Sequence, residues 1–132
     1  MASRRVDVFF YGLFMDSDLL RSRGAEPCSV TIASVQGFAL RIGRRAAMVP
    51  QAGSSVHGLI ISVTLEEVDR LYAEPSLKDY RPEAVLAELA TGGKVAALCY
   101  NLAQAPSPSD HDPAYAARLR EVAAKAGLPR DY

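Results

Sequence analysis

Residues 6–15 read VDVFFYGLFM. Val6, Val8 and Phe10 alternate with Asp7, Phe9 and Tyr11, the period of two that marks a β-strand. Gly12 ends the alternation, because glycine accepts backbone angles that other residues avoid. Asp16-Ser17-Asp18 follows, a run of helix N-cap residues ahead of Leu19-Leu20. Strand, glycine turn and helix start are thus packed into one short stretch. Such a junction leaves the N–H groups of Gly12, Leu13, Phe14 and Met15 without ladder partners and aimed at one point. That arrangement suits an anion or a reaction oxyanion. The plain alternative is a strand-to-helix turn that binds nothing.

Downstream, Asp16 to Arg23 reads as a short helix closed by Gly24. Val30 to Ile42 (VTIASVQGFALRI) is β-like, with Gly37 marking a bend or bulge. Arg41, Arg44 and Arg45 gather after it, as a carboxylate-binding cluster or a solvated strand end. Ala46 to Val49 is expected as a short strand, stopped by Pro50 and a Gly53-Ser54-Ser55 loop. Val56 to Val63 (VHGLIISV) is nearly continuous in apolar residues, the pattern of a strand buried on both faces. His57 within it reads as a packed or edge residue rather than a catalytic one.

Thr64-x-x-Glu67 is a capping box opening a helix. Leu65, Val68 and Tyr72 recur at helical spacing as its inward face, with Glu66 and Arg70 outside as an i,i+4 pair. Pro75 forces Glu74 out of the α region, so the helix ends near residue 73. Glu74 is then at a helix exit, where a side chain can turn back over a pocket. Tyr80–Leu89 and Lys94–Leu102 form a hairpin through Thr91-Gly92-Gly93. Asp112 and Pro113 open a last helix that Gly127 closes, with Tyr115, Leu119, Val122 and Ala126 as its stripe.

The 132 residues are expected to form one domain, 1–132, with enough apolar content (49%) for a core without staples. Fifteen basic and fifteen acidic residues cancel, which argues against nucleic acid or an anionic membrane as partner. Cys28 and Cys99 read as reduced thiols, and with two widely spaced histidines they predict no metal site. No apolar run approaches the roughly 20 residues of a membrane span, and Asp7 interrupts the one signal-like stretch. A cytoplasmic location is the expectation. About six strands with few helices, not strictly alternating, argue for an α+β fold on a curled mixed sheet. No GxGxxG or phosphate loop is present.

Several segments, in order, resemble the γ-glutamylcyclotransferase-like, or AIG2-like, proteins over roughly residues 6 to 132. They are the Tyr-Gly strand end Phe9-Phe10-Tyr11-Gly12-Leu13-Phe14-Met15, the segment SVQGFALRI, the strand Val56-His57-Gly58-Leu59-Ile60, and Tyr80-Arg81-Pro82-Glu83-Ala84-Val85. Between the last two, the family has a helix ending in Asp-x-x-Glu-Gly. The resemblance implies a small mixed β-barrel with peripheral helices. It also implies cleavage of a γ-glutamyl amide by its own α-amine, giving 5-oxoproline and a released amine, with no cofactor. The protein's tasks would be to fold the substrate so that amine and carbonyl meet, to stabilise the oxyanion and to remove a proton.

On this resemblance the Tyr-Gly turn (Tyr11 to Met15), Tyr72 and Tyr80 would contact the substrate. The departure is at the base. Aligning Asp69 with the family's Asp-x-x-Glu puts Tyr72 where the catalytic carboxylate belongs, and a phenol with a pKa of about 10 is a poor base at neutral pH. Glu74 is the expected replacement, with Asp69 one helical turn back as another candidate. Two functions therefore stand: a cyclotransferase with Glu74 as base, or a non-catalytic relative that binds a small acid or amide. Leu13 and Phe14 are bulkier than the residues that commonly follow the family's Tyr-Gly, and they would narrow or redirect the pocket.

Overall fold

The computed structural model describes residues 4–42, 46–73, 80–102 and 113–128. Five strands form a closed barrel: β1 (Arg5–Phe10), β2 (Cys28–Ile42), β3 (Ala46–Thr64), β4 (Tyr80–Leu89) and β5 (Lys94–Leu102). Their order around the barrel is β1-β3-β2-β4-β5. The neighbours run antiparallel except where β1 meets β5 in parallel, Val8 opposite Leu98, and closes the ring. Three helices lie around it: α1 (Ser17–Ser22), α2 (Leu65–Leu71) and α3 (Pro113–Ala126). This is the α+β mixed barrel expected from the sequence.

The opening strand carries the core on both faces. Val8, Phe9 and Phe10 are all buried. Phe9 packs over Gly58 of β3, and Phe10 meets Phe14 of the 3-10 turn Leu13–Met15 edge-on, ring centroids 6.0 Å apart. The alternation in the sequence is therefore strand geometry without a polar face. At Gly58 an added Cβ would come within 2.3 Å of the Phe10 carbonyl oxygen, so β1 and β3 approach as closely as they do because no side chain separates them.

One expectation needs correction. The short strand Ala46–Val49 and the loop after it are parts of one long strand, β3, which continues through Pro50 and Gly53. The reason is the partner. Phe38 stands opposite Pro50 and Gln36 opposite Ser55, with a register shift between them at Gly37, which holds φ +84. The irregularity absorbs the extra residues 51–54 of β3, with Pro50 at the last paired position before it.

The capping box at Thr64 is complete. The Thr64 amide donates to Glu67 Oε1 at 2.8 Å, and the Glu67 amide donates to Thr64 Oγ1 at 3.1 Å. Glu67 Oε2 also accepts from the Glu26 amide at 2.7 Å, tying α2 to the segment after α1. Arg70 makes a second tie, donating to the Gly24 carbonyl at 3.0 Å, and among the described residues it forms no pair with Glu66. The inward stripe of α2 is Val68 and Leu71 rather than Leu65, which is 41% exposed at the barrel's end. These ties fix the helix whose C-cap is Tyr72.

Candidate functional site

A cavity of about 230 Å³ opens where β1 runs into the 3-10 turn. It is lined by Tyr11, Gly12, Leu13 and Phe14 of the strand end and turn, by Tyr72, Tyr80 and Tyr100, and by Tyr115 and Arg118 of α3. Arg23, just past α1, also reaches it.

The turn holds Gly12 in an extended conformation, and two internal bonds follow. The Met15 amide donates to the Gly12 carbonyl at 3.1 Å and the Asp16 amide to the Leu13 carbonyl at 3.0 Å. Met15 is thus used within the turn; it is buried and does not line the cavity. Among the described residues the amides of Gly12, Leu13 and Phe14 have no acceptor. Three of the four expected donors are thereby left for a ligand.

The wall is a stack of phenols. The Tyr72 and Tyr100 rings are parallel, 4.0 Å between centroids and 8° between planes. Tyr72 also meets Phe14 edge-on at 5.6 Å and Tyr80 obliquely at 5.9 Å. Tyr80 donates its hydroxyl to the Ala46 carbonyl, holding the start of β3 against β4. The Tyr11 hydroxyl lies 3.1 Å from both the Tyr100 carbonyl and Asn101 Oδ1 and donates toward them.

Asn101 is a hub that no motif or spacing singles out. Its Oδ1 accepts from the Met48 amide at 2.9 Å and the Leu102 amide at 3.0 Å, while Nδ2 donates to the Met48 carbonyl at 2.8 Å. The side-chain amide therefore imitates a strand partner for Met48 and sews the end of β5 to the start of β3. Because Tyr11 bonds to the same oxygen, the clamp also fixes the pocket rim.

The phenols stay neutral. Burial pushes the Tyr72 hydroxyl well above its usual range, with Cys99 and the neighbouring tyrosines adding to the effect. Tyr11 is raised in the same way, burial first and Cys99 next. Tyr100 is raised by burial and then by Asp69. Burial likewise lifts the Cys99 thiol to about 12, with a smaller push from Glu83. Neither the thiol nor the phenols can serve as a base near neutrality.

Of the residues expected from sequence, Tyr11, Gly12, Leu13, Phe14, Tyr72 and Tyr80 converge on this cavity. Glu74 lies outside the described residues, as do Arg44 and Arg45; Arg41 is exposed at the end of β2. Asp69 is exposed on α2 and does not line the cavity. Tyr100, Tyr115 and Arg118 were missed as site residues. Tyr115 and Arg118 are spaced i,i+3 in the last helix, a pairing that could have flagged them. Among the described residues no group of three or more His, Cys, Asp or Glu could hold a metal ion.

The family model for gamma-glutamyl cyclotransferase, AIG2-like proteins matches residues 8–118. The chain belongs to this family. Solved structures agree in fold. A gamma-glutamyl cyclotransferase superposes with TM-score 0.82 at 20% identity, covering 98% of this chain and 84% of that one. An uncharacterised protein from Homo sapiens gives 0.80 at 20% identity, with 97% and 83% covered. A protein from Arabidopsis thaliana solved in solution gives 0.71 at 22%, with 95% and 87% covered. Among curated proteins none matches the sequence. At these identities the structural likeness of the AIG2-like chain to each neighbour is one of fold. No helix among its described residues is long and apolar enough to cross a membrane.

Proposed function

We propose that this AIG2-like chain is a small-molecule-binding member of its family, whose pocket holds a small acid or amide without carboxylate-driven cyclisation at position 72. The observation that carries this is Tyr72. It stands where the resemblance places the family's catalytic glutamate, it lines the cavity, and its phenol is packed against Tyr100. A stacked, neutral phenol can position a ligand but cannot take a proton from an ammonium.

A second reading keeps the family reaction, with Glu74 as base. The feature that favours it is the set of acceptor-less amides at Gly12, Leu13 and Phe14 lining the same cavity, which would suit a tetrahedral oxyanion. One experiment separates the two. 5-Oxoproline release is measured over a panel of γ-glutamyl amides for the wild type and Glu74→Gln, beside calorimetric binding of the same compounds and of simple amide acids. Saturable binding with no release supports the binding reading. Release by the wild type that falls roughly a hundredfold or more in Glu74→Gln supports the cyclotransferase and removes the first proposal.

A further inference from the structure

The chain has four phenylalanines, six tyrosines and no tryptophan. All of these rings except Phe38 and Tyr132 line the cavity at the end of β1. Tyr132 alone among them lies outside the described residues. The rings arrive from β1, the turn after it, the C-cap of α2, β4, β5 and α3. Neighbours in sequence cannot account for such a gathering; closure of the barrel and the docking of α2 and α3 do.

A cluster that served only as core would fill its own interior, since native interiors leave few voids larger than a water molecule. Here the rings surround about 230 Å³ of open space. Phe14, Tyr72, Tyr80, Tyr100 and Tyr115 are only half-buried. A cavity of about 150 Å³ is enough to hold benzene. The space here therefore takes one six-membered ring and a short polar arm. The surrounding rings meet mostly at an angle: Phe10 with Phe14 and Phe14 with Tyr72 edge-on, Tyr72 with Tyr80 tilted. Such contacts set the electron-poor edge of one ring against the electron-rich face of another, and a flat guest ring can join them. A saturated ring has no such face. Arg118 lines the same cavity and carries donors for a carboxylate or an amide oxygen.

We infer that the ligand of this pocket is an aryl acid or aryl amide, a single aromatic ring bearing its carboxylate or carboxamide on a short arm. This rests on the small-acid-or-amide reading above and names the class of compound.

The test is calorimetric titration of the full chain near pH 7 with two matched pairs, phenylacetate beside cyclohexylacetate and phenylacetamide beside cyclohexylacetamide. The members of each pair differ only in saturation of the ring. Apolar area alone would favour the bulkier saturated ring. The phenyl member should nevertheless bind roughly threefold to tenfold more tightly. Tyr115→Leu, which removes a ring but keeps apolar bulk, should weaken the phenyl compounds by roughly threefold or more and the cyclohexyl ones by less. Phe38→Leu removes a ring outside the cavity and should leave all of them unchanged. Equal or tighter binding of the cyclohexyl members overturns the inference while leaving the small-acid-or-amide reading in place. So does a Tyr115→Leu protein, folded by circular dichroism, that binds the phenyl compounds as Phe38→Leu does. Should Tyr115→Leu not fold, the wild type decides: nuclear Overhauser contacts between the ring protons of phenylacetate and those of the tyrosines are expected, and their absence overturns the inference. If none of the compounds titrates, the inference and the reading beneath it both fall.

Discussion

The ring of Tyr72 lies flat on the ring of Tyr100, 4.0 Å between centroids, and this contact joins the exit of α2 to the last strand of the barrel. A glutamate at position 72 could not make it. The same side chain that withholds a base from the pocket therefore holds the pocket's wall. Tyr72→Ala should lower stability by about 2–4 kcal/mol, combining a large-to-small loss with the stacking contribution. Tyr72→Phe should lose much less, because ring area is kept. Urea unfolding of the three proteins checks this; equal stability of Tyr72→Ala and wild type would show the stack to be incidental.

Gly58 should tolerate no side chain. A Cβ there would meet the Phe10 carbonyl oxygen at 2.3 Å and the Phe9 ring at 3.0 Å, and a backbone atom cannot swing aside. Gly58→Ala should cost more than about 2 kcal/mol and move β1 away from β3. Thermal melting and the chemical shifts of Phe9 and Phe10 would report it.

Asn101 should behave as a structural amide. Replacing it with alanine strands the Met48 N–H and C=O and leaves the Tyr11 hydroxyl without its side-chain acceptor, though still bonded to the Tyr100 carbonyl. The expected loss is about 2–3 kcal/mol, from leaving enclosed backbone groups unpaired. Amide exchange at Met48 and Leu102 should quicken more than exchange elsewhere in β5.

Much of the fold was legible because its signals are local. The alternation of residues 6–11, the Thr64–Glu67 box and the Gly92-Gly93 hairpin each depend on neighbours a few positions away, and each stands in the structure. The long β3 was not legible. Pro50 and Gly53 are turn residues by any local rule, and only the long pairing of β3 with the bulged β2 on either side of residues 51–54 carries the strand through them. The site divides the same way. The Tyr11–Phe14 turn and Tyr72 could be found in the sequence, and the spacing of Tyr115 and Arg118 was there to be read; Tyr100 and the Asn101 clamp beside the pocket could not, because closure of the barrel is what places them.

The two cysteines should separate by reactivity. Cys28 is exposed, whereas Cys99 is buried with its thiol pushed up to about 12. An aromatic disulfide reagent at pH 8 should label Cys28 quickly and Cys99 only after unfolding. Rapid labelling of Cys99 in the native protein would contradict the packing described.

Glu67 should contribute to acid sensitivity. Burial alone would raise its carboxyl, but hydrogen bonds from the Thr64 and Glu26 amides and the Thr64 hydroxyl, with Arg5 nearby, outweigh it and hold the group below its usual 4.5. A carboxyl lowered by folding stabilises the native state above its unfolded pKa, and the contribution is lost as pH falls through the lowered value. Wild-type stability should therefore decline below about pH 4.5 more steeply than that of Glu67→Gln, and the two curves should run parallel at neutral pH. Denaturant midpoints across that range provide the measurement.

The cavity straddles the barrel's parallel seam, with Phe9 and Phe10 of β1 on one side and Tyr100 of β5 on the other. A molecule bound there touches both strands that must separate for the ring to open, so it acts as a rivet across the closure. Thermodynamic linkage then makes the melting temperature a readout of occupancy: a ligand at a hundred times its Kd adds about 2.7 kcal/mol to the folded state. The barrel would thus report its own ligand, whatever chemistry follows binding, and a thermal screen of small acids would find it before any activity assay is devised.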